Sequence, residues 1–346
     1  MTRLTRTNRK FTGWLLTVTT VLLYTSPPTA FACSRIMWSD NGHAIVVGRT
    51  MDWVDSTEPE LWVFPRGIQR HGRTKVNPQK WASKYGSLVT SGYSAATVDG
   101  INDKRLAGHL LYLREADYGK RDPQRPALSS LMWLQYILDS YASVEEAVQD
   151  SNNWHIELGT AGGHKATVHI AIEDITGDSA VFEFINGKLV VHHGPQYTVL
   201  TNSPPYDQQL EHIEQHVGLG GNKPLPGDIL SNERFVRASY FLKNLPKPST
   251  LRETVAGVMS VTRNVSVPFG APYDQFSSYP TIYRTITDVT NARYYWEYTQ
   301  SPNLFWIDLA NLNFAENGFV MRLEPSNLTL AGEVSQHFHP VRVAPY

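Results

Sequence analysis

Short apolar runs separated by turn residues open the folded part of the chain. The stretch that follows Cys33 has the composition of a first strand, and the next run is interrupted by Gly48-Arg49. Turn signals such as Pro65-Arg66-Gly67 and Asp99-Gly100 bound the later runs. This pattern predicts strands, because short apolar runs bounded by Gly, Pro and Asp are typical of them. The predicted strands cover residues 44–53, 61–64, 84–93 and 106–113.

The apolar period changes between residues 127 and 141. Apolar side chains there fall at 128, 131, 132, 134, 137, 138 and 141. This spacing predicts a helix that is apolar around most of its girth, and such a helix packs between layers instead of lying on a surface. Ser143-Val144-Glu145-Glu146 has the form of a capping box and predicts the start of a further short helix.

Alternation returns between residues 167 and 202. Turns at Thr176-Gly177-Asp178 and Asn186-Gly187 divide this stretch, and Asn-Gly between two such runs is a strong hairpin signal. We therefore predict an antiparallel meander. Helical patterns follow at 228–242 and 250–262, the second with Thr250 and Glu253 as a capping box. The last predicted strands cover 281–287, 294–299, 305–309 and 318–323.

The order of the predicted elements is strands, helices, strands, helices and strands. No proline- or serine-rich linker divides them, and no repeat is visible. This order predicts one α+β domain at residues 33–346, in which sheets pack between helical layers.

Residues 1–32 have the pattern of a secretory signal peptide. Four basic residues lie in the first ten positions, an apolar run covers 11–24, and Ala30-Phe31-Ala32 ends the segment. The run is too short and too rich in Thr for a membrane span, so we expect a periplasmic or secreted protein. A bacterial lipoprotein signal is the alternative, since it is also cut before a cysteine. Ala30 and Phe31 depart from that pattern and favour simple cleavage.

The charge that remains after this cleavage argues against nucleic acid as a partner. Removing residues 1–32 takes away four of the 31 basic residues, so 27 face 32 acidic ones, a net charge of about −5. Cys33 is the only cysteine, so no internal disulfide can form. An unpaired cysteine in an exported protein is a hazard unless it is used.

Cleavage after Ala32 would give Cys33 both a thiol and a free α-amino group. The amine titrates near 7.7–8.0 and the thiol near 8.5, so at neutral pH part of the amine is neutral and can take the thiol proton. A cation nearby lowers the thiol pKa further. Nucleophile and base on one residue suit attack on an amide carbonyl. The alternative is that Cys33 is a small buried hydrophobic side chain.

Four motifs in this order and spacing resemble the choloylglycine hydrolase family. They are Cys33-Ser34-Arg35, residues 48–53 (GRTMDW), residues 201–204 (TNSP), and residues 225–228 (LPGD) with 234–237 (RFVR). Members are amidases with an N-terminal nucleophile and include penicillin V acylases and bile salt hydrolases. The resemblance covers residues 33 to 325 and implies a four-layer αββα sandwich.

The resemblance also implies a role for each of five residues. Cys33 would be the nucleophile and, through its amine, the base. Arg49 would stabilise the thiolate, and Asp52 would accept hydrogen bonds from the α-amino group. Asn202 would donate its side-chain NH2 to the oxyanion, and Arg234 would complete the polar network. Judged by the residues alone, Arg49 and Asp52 would be a surface pair and Asn202 a turn residue.

Leu111 departs from the family pattern, which usually has Asn there in bile salt hydrolases or Tyr in Gram-positive penicillin acylases. In the family that residue gives its backbone N–H to the oxyanion hole, and a backbone donor does not depend on the side chain. The departure at Leu111 therefore leaves catalysis unaffected and puts only the choice of substrate in doubt. Trp53 and Tyr112 are similar to the Gram-negative branch, where aromatics line the acyl pocket. They suit a phenoxyacetyl or fatty acyl group. The alternative is that both are core aromatics.

We therefore expect an exported amidase that cleaves linear acyl amides such as penicillin V or N-acyl-homoserine lactones. It would need no metal or cofactor, and the family suggests a homotetramer. Bile salt hydrolysis is an alternative, and a lipid-anchored, non-enzymatic envelope protein is another. His212 and His216, with Glu214 between them, lack the zinc-protease order and are assigned to a solvated helix face. Nothing fixes a third metal ligand beside His192-His193 or His337 and His339.

Overall fold

Two mostly antiparallel sheets face each other at the centre of the computed structural model, which describes residues 32–272 and 278–346. The strands are β1 (Ala32–Trp38), β2 (Val46–Asp52), β3 (Glu60–Phe64), β4 (Gln69–His71), β5 (Lys80–Ala82), β6 (Ser87–Gly92), β7 (Ala96–Asn102), β8 (Ala107–Tyr112), β9 (Leu128–Ser129), β10 (Ile156–Glu157), β11 (Thr160–Ala161), β12 (His164–Lys165), β13 (Val168–Glu173), β14 (Ser179–Ile185), β15 (Lys188–His193), β16 (Val199–Leu200), β17 (Thr281–Asp288), β18 (Arg293–Tyr298), β19 (Leu304–Asp308), β20 (Val320–Leu323), β21 (Gly332–Glu333) and β22 (His339–Val341). The described residues also form the α-helices α1 (Trp133–Ser140), α2 (Val144–Asp150), α3 (Tyr206–Ile213), α4 (Ser231–Lys243) and α5 (Leu251–Asn264).

The four layers are a helix pair, a nine-stranded sheet, a seven-stranded sheet and a second helical layer. The seven-stranded sheet has the order β16-β1-β2-β17-β18-β19-β21, and the nine-stranded sheet has the order β15-β14-β13-β8-β7-β6-β3-β20-β22. Helices α1 and α2 pack on the larger sheet, whereas α4 and α5 pack on the smaller one. The α+β prediction of sheets between helical layers is therefore confirmed.

Strand β2 is buried along its whole length because it has a layer on each side. Gly48 does not end this strand. A Cβ atom at Gly48 would lie 2.0 Å from Thr262 Oγ1, so the glycine allows α5 to approach the strand closely. Arg49 and Asp52, which follow it, are carried on the same continuous strand into the interior.

The predicted helix at 127–141 is wrong over its first third. Residues 128–129 instead form β9, which pairs with β10, and α1 begins at Trp133. The apolar side chains at 128, 131, 132, 134, 137 and 138 are all buried, and burial alone does not distinguish a strand from a helix. Helix α4 likewise begins at Ser231 and not at Asp228.

Both predicted capping boxes are present. Ser143 Oγ accepts the N–H of Glu146, and Thr250 Oγ1 accepts the N–H of Glu253. Within the described ranges no helix is long and apolar enough to cross a bilayer. The predicted signal segment, apart from Ala32, lies outside the described residues.

Candidate active site

Cys33 lies on β1 with its side chain pointing between the two sheets. Only 2% of the residue is exposed. Its Sγ is 3.9 Å from Met51 Sδ, 3.9 Å from Arg49 Nη2 and 4.0 Å from the carbonyl oxygen of Asp52. A cation and an apolar thioether therefore lie beside the thiol.

Pairing of β1 with β2 decides which side chains share the face of the thiol. Cys33 is opposite Met51, and Ser34 is opposite Thr50. Because successive side chains of a strand point to opposite faces, Arg49 and Met51 lie on the thiol side of the sheet. Asp52 lies on the other side, toward the helical layer. The predicted position of Arg49 beside the thiol agrees with this register.

Arg49 is a fully buried cation that faces the sulfur. Its Nη1 donates to Tyr283 Oη at 3.0 Å, and its Nη2 donates to the carbonyl oxygen of Leu110 at 3.2 Å. Burial raises the pKa of the Cys33 thiol, and the positive charge of Arg49 opposes that rise. The arginine thus favours the thiolate in a place where burial alone would suppress it.

Asp52 anchors a polar group on the opposite face of the sheet. Its Oδ1 accepts from Thr281 Oγ1 at 2.5 Å and its Oδ2 from Thr50 Oγ1 at 3.1 Å. Arg234 Nη1 is 3.5 Å from Oδ2. Burial raises the pKa of Asp52 to about 6, although Arg234 counteracts this. The carboxylate is therefore held by two hydroxyls and a guanidinium.

Arg234 and Asn202 bind the backbone of Cys33. Arg234 Nη1 donates to the carbonyl oxygen of Cys33 at 2.8 Å and to Ser34 Oγ. The nitrogen of Cys33 donates to Asn202 Oδ1, which also accepts from Arg234 Nη2 at 3.3 Å. The nitrogen of Cys33, which is here a peptide N–H joined to Ala32, thus donates to Asn202, whereas the resemblance implies that the free α-amine of the processed chain is bound by Asp52. Asn202 Nδ2 donates to the carbonyl oxygen of Tyr112 at 2.7 Å.

Strands β7 and β8 separate beside the thiol. The ladder between them ends at the pair Asp99–His109. Beyond that pair, the backbone of β8 bonds to side chains of the site instead of to β7. The carbonyl oxygen of Leu110 accepts from Arg49, and that of Tyr112 accepts from Asn202. On its other edge β8 pairs with β13. The N–H of Leu113 donates to the carbonyl of Thr167, so alternation places the N–H of Leu111 in the ladder toward β13. The N–H that faces the site is therefore that of Tyr112, and this differs from the expected Leu111 donor.

An apolar cavity that is open to solvent lies beside the separated strands, and Cys33 is one of the residues that line it. Trp53 and Tyr112 line it, with their rings edge to face and centroids 5.9 Å apart. Trp53 Nε1 donates to Tyr93 Oη at 2.7 Å, which fixes the orientation of the indole. His164 packs edge-on against Trp53, at 5.4 Å between centroids. The two aromatics named from the sequence thus lie together on a cavity wall.

Several residues of the site carry no signal in the sequence. Gln209 Nε2 donates to the carbonyl oxygens of Asn202 and Pro204 at 2.6 and 2.7 Å, and thereby holds the segment that carries Asn202. Thr281 reaches Asp52 from 229 positions away. Tyr93 and His164 come from separate loops and strands. Only chain pairing brings these residues to the site, so no local motif predicts them.

A buried chain of ion pairs lies behind Arg49 and connects the two sheets. His109 is 2.8 Å from Asp99 through Nδ1 and 2.6 Å from Glu173 through Nε2. Arg35 Nε, on β1, donates to Glu173 at 3.1 Å. Burial alone would lower the pKa of His109, but Glu173 and Asp99 outweigh it and raise that pKa to about 9. We infer that His109 is a structural cation here.

Replacing His109 with glutamine is expected to lower the free energy of unfolding at pH 7 by about 3–5 kcal/mol, because two buried carboxylates lose the cation that lies between them. The folded-state pKa of about 9 exceeds the reference value of 6.5. Stabilisation by His109 is thus full below pH 6.5 and is lost as the pH rises through 9. Urea unfolding at pH 7 and pH 10 checks this. The difference in the free energy of unfolding between wild type and His109→Gln should be smaller at pH 10 than at pH 7. The control His337→Gln, at an exposed site, should change this free energy little at either pH. An equal difference in the free energy of unfolding at pH 7 and pH 10 would contradict the assignment of His109 as a cation.

The histidines other than His164 do not line the cavity at Cys33. His212 and His216 were assigned to a solvated face, but His216 is only 4% exposed, so that assignment is wrong for it. It lies beyond the end of α3, where it pairs with Lys223 in an isolated bridge and its ring contacts that of His212. His193 is 2.8 Å from Asp178, and His192 is stacked edge-on with Tyr206.

Two facing sheets between helical layers, with a buried cysteine near the start of β1, form the N-terminal-nucleophile hydrolase fold. The chain belongs to the choloylglycine hydrolase family of linear amide C–N hydrolases, whose family model matches residues 33–322.

Three relatives illustrate this membership. Penicillin V acylase of Pectobacterium atrosepticum is 36% identical over 368 residues, covering 97% of this chain and 98% of that protein. The solved structure of penicillin V acylase from Agrobacterium tumefaciens is 39% identical with a TM-score of 0.81, over 90% of this chain and 98% of that one. A conjugated bile acid hydrolase structure from Clostridium perfringens has a TM-score of 0.73 at 24% identity, over 86% of this chain and 98% of that one. The last shows the shared fold.

Proposed function

We propose that this protein is an exported amidase whose mature chain begins at Cys33 and that it acts as a penicillin V acylase. One observation carries the proposal. The nitrogen of Cys33 is bound by Asn202, while its sulfur lies beside Arg49 and the residue lines an apolar cavity. Nucleophile, proposed base and acyl pocket therefore meet at one residue. The signal pattern of residues 1–32 supports processing and a periplasmic or secreted location.

In the proposed reaction the α-amine of Cys33 takes the thiol proton, and Sγ attacks the amide carbonyl. The electron pair of the carbonyl moves to oxygen and forms a tetrahedral oxyanion. The α-ammonium then gives its proton to the leaving nitrogen, and the C–N bond breaks to leave a thioester. Water, deprotonated by the same amine, attacks the thioester and releases the acid and the thiol. Arg49 stabilises the thiolate at both stages.

The oxyanion would be held by the backbone N–H of Tyr112 and by the second N–H of Asn202 Nδ2. Both groups lie at the edge of β8 that faces the site, since Asn202 Nδ2 donates its other hydrogen to the carbonyl of Tyr112 itself. Loss of one such donor typically costs a few kcal/mol in the transition state. In this scheme Asp52 and Arg234 position the Cys33 backbone from the other face of the sheet.

The cavity wall supports an aromatic or fatty acyl group as the recognised part of the substrate. Trp53, Tyr93 and Tyr112 offer ring faces and edges, and the other wall residues include Val98, Leu131 and Val168. Such a wall suits the phenoxyacetyl group of penicillin V and the acyl chain of N-acyl-homoserine lactones. Bile salt hydrolysis is the alternative within the family.

Burial of the sulfur opposes the lipid-anchor alternative. A diacylglyceryl group on Sγ would have to occupy the space beside Arg49 and Met51, where the thiol is 2% exposed. The intact mass of the mature protein separates the two. Unmodified Cys33 at the start supports the amidase, while a diacylglyceryl adduct rejects it.

The direct test is hydrolysis of penicillin V, short and long N-acyl-homoserine lactones, and a glycine-conjugated bile acid by the mature chain. We expect turnover of penicillin V and of a homoserine lactone, with the bile acid slower. Preference for the bile acid would instead assign the chain to bile salt hydrolysis. No turnover of any of these amides would reject the proposal.

Trp53→Ala is expected to raise KM for penicillin V about tenfold with a smaller change in kcat. The ring contributes about 1.4 kcal/mol of contact to an aromatic acyl group, which is a factor of ten in affinity. Trp53→Phe keeps a ring at the same place and serves as the matched control, with most of the affinity retained. An unchanged KM for Trp53→Ala would assign the indole to packing alone.

A further inference from the structure

Two histidines and a glutamate converge between α3 and α4, outside the cysteine site. His212 lies in the last turn of α3, His216 one turn later in sequence, and Glu233 in the first turn of α4. One ring nitrogen of each histidine and one carboxylate oxygen of Glu233 all lie within 4.8 Å of one another. The turn that follows α3 brings the ring of His216 beside that of His212, with 5.0 Å between centroids, and the facing helix supplies the third group.

The hydrogen bond made by His216 leaves a ring nitrogen suited to a metal. Its Nδ1 lies 3.2 Å from the carbonyl oxygen of His212, an acceptor only, so the proton is placed on Nδ1. The lone pair is then on Nε2. Histidines that bind metals commonly donate their other ring N–H to a backbone carbonyl in this way. The residue is 4% exposed, which fixes the ring.

The side-chain amide of Asn232 marks a position beside His212 and Glu233 that would attract a cation. Its Nδ2 is 3.4 Å from His212 Nε2 and 3.5 Å from Glu233 Oε1, and those two atoms are 3.6 Å apart. An amide NH2 can only donate, so the lone pair of His212 Nε2 and an oxygen of Glu233 both face this point. Rotation of the amide by half a turn would present Oδ1 there instead.

We propose that His212, His216 and Glu233 bind one zinc ion, with Asn232 Oδ1 or water as the fourth ligand. Two imidazoles and a carboxylate are a usual zinc donor set. His212 Nε2 and Glu233 Oε1 are 3.6 Å apart, close to the separation of about 3.3 Å between two donors of a tetrahedral zinc ion. The side chains of His212 and Glu233 are 23% and 20% exposed, so an ion can enter from solvent.

The bound ion would join the two segments that hold the Cys33 backbone. Glu233 directly precedes Arg234, which donates to the Cys33 carbonyl, and α3 follows the segment that carries Asn202. The ion therefore acts as a structural brace between α3 and α4, and it takes no part in the reaction at Cys33.

Equilibrium dialysis of the untagged mature chain against zinc, followed by metal analysis, tests the site. It is done on the Cys33→Ser chain as well, because a free thiol also binds zinc. We expect one zinc per chain in both, and a Tm about 5 °C higher at 100 times the dissociation constant. His212→Gln and Glu233→Gln, at partly exposed positions, should each weaken binding at least about tenfold and abolish the Tm shift.

His193→Gln is the matched control. It belongs to the second group of candidate ligands, with Glu145 and Asp178, and should leave zinc binding by His212 and Glu233 unchanged. Zinc that is retained by both His212→Gln and Glu233→Gln, or lost only in the Cys33→Ser chain, would overturn the proposal. Binding of less than half an ion per wild-type chain would overturn it too.

Discussion

Cys33→Ser is expected to lower kcat/KM for penicillin V by about 10⁴-fold or more. The loss follows from the proposed mechanism, since a hydroxyl is a far weaker nucleophile than a thiol and cannot be stabilised by Arg49 as a thiolate is. The fold should survive, because the contacts of Sγ are at 3.9 Å or longer. Steady-state hydrolysis and Tm of the purified variant check both statements.

Alkylation provides an independent control for that loss. The chain has one cysteine, so modification by one iodoacetamide identifies the site by mass. Loss of activity in step with that mass change supports Cys33 as the nucleophile. If Cys33→Ser retained the wild-type rate, or if fully alkylated protein stayed active, Cys33 would have no part in the mechanism.

A chain that begins at Ala32 is expected to lose about 10²–10⁴-fold in kcat relative to one that begins at Cys33. The extra residue turns the nitrogen of Cys33 into an amide, which cannot act as a base, and this range is the usual contribution of a general base. Ala32 pairs with Asp52 in the β1–β2 ladder, so the strand accommodates the added residue. Hydrolysis by the two chains, purified in parallel, measures the loss.

Further measurements distinguish loss of the free α-amine from other causes of the lower kcat. Tm should be similar for both chains, and Cys33 should still react with iodoacetamide in the longer one. The rate of the Cys33 chain should rise with pH as an α-amine near pH 8 loses its proton, and the Ala32 chain should lack that rise. Equal activity of the two chains would mean that the terminal amine is not the base.

Local sequence was enough to predict most of the elements. Turn residues and alternation located the strands around 61–64 and 281–287, and capping boxes located the starts of α2 and α5, because these signals act within a few residues. The helix at 127–141 was mispredicted over its first third because buried apolar side chains occur in a strand as well as in a helix. The family motifs added Arg49, Asp52, Asn202 and Arg234 as candidates, without their geometry.

The sequence by itself determined that Cys33, a lone cysteine at the end of a signal-like segment, is the candidate nucleophile and that its surroundings belong to an amidase family. Only the tertiary structure decided which of the candidate residues contact each other in the site. Strand alternation places Arg49 on the thiol face of the sheet and Asp52 on the opposite face. The register of β8 with β13 places the N–H of Tyr112 toward the site, and the fold buries His216 beyond the end of α3. These outcomes depend on pairing between segments up to 229 positions apart, which no local pattern encodes.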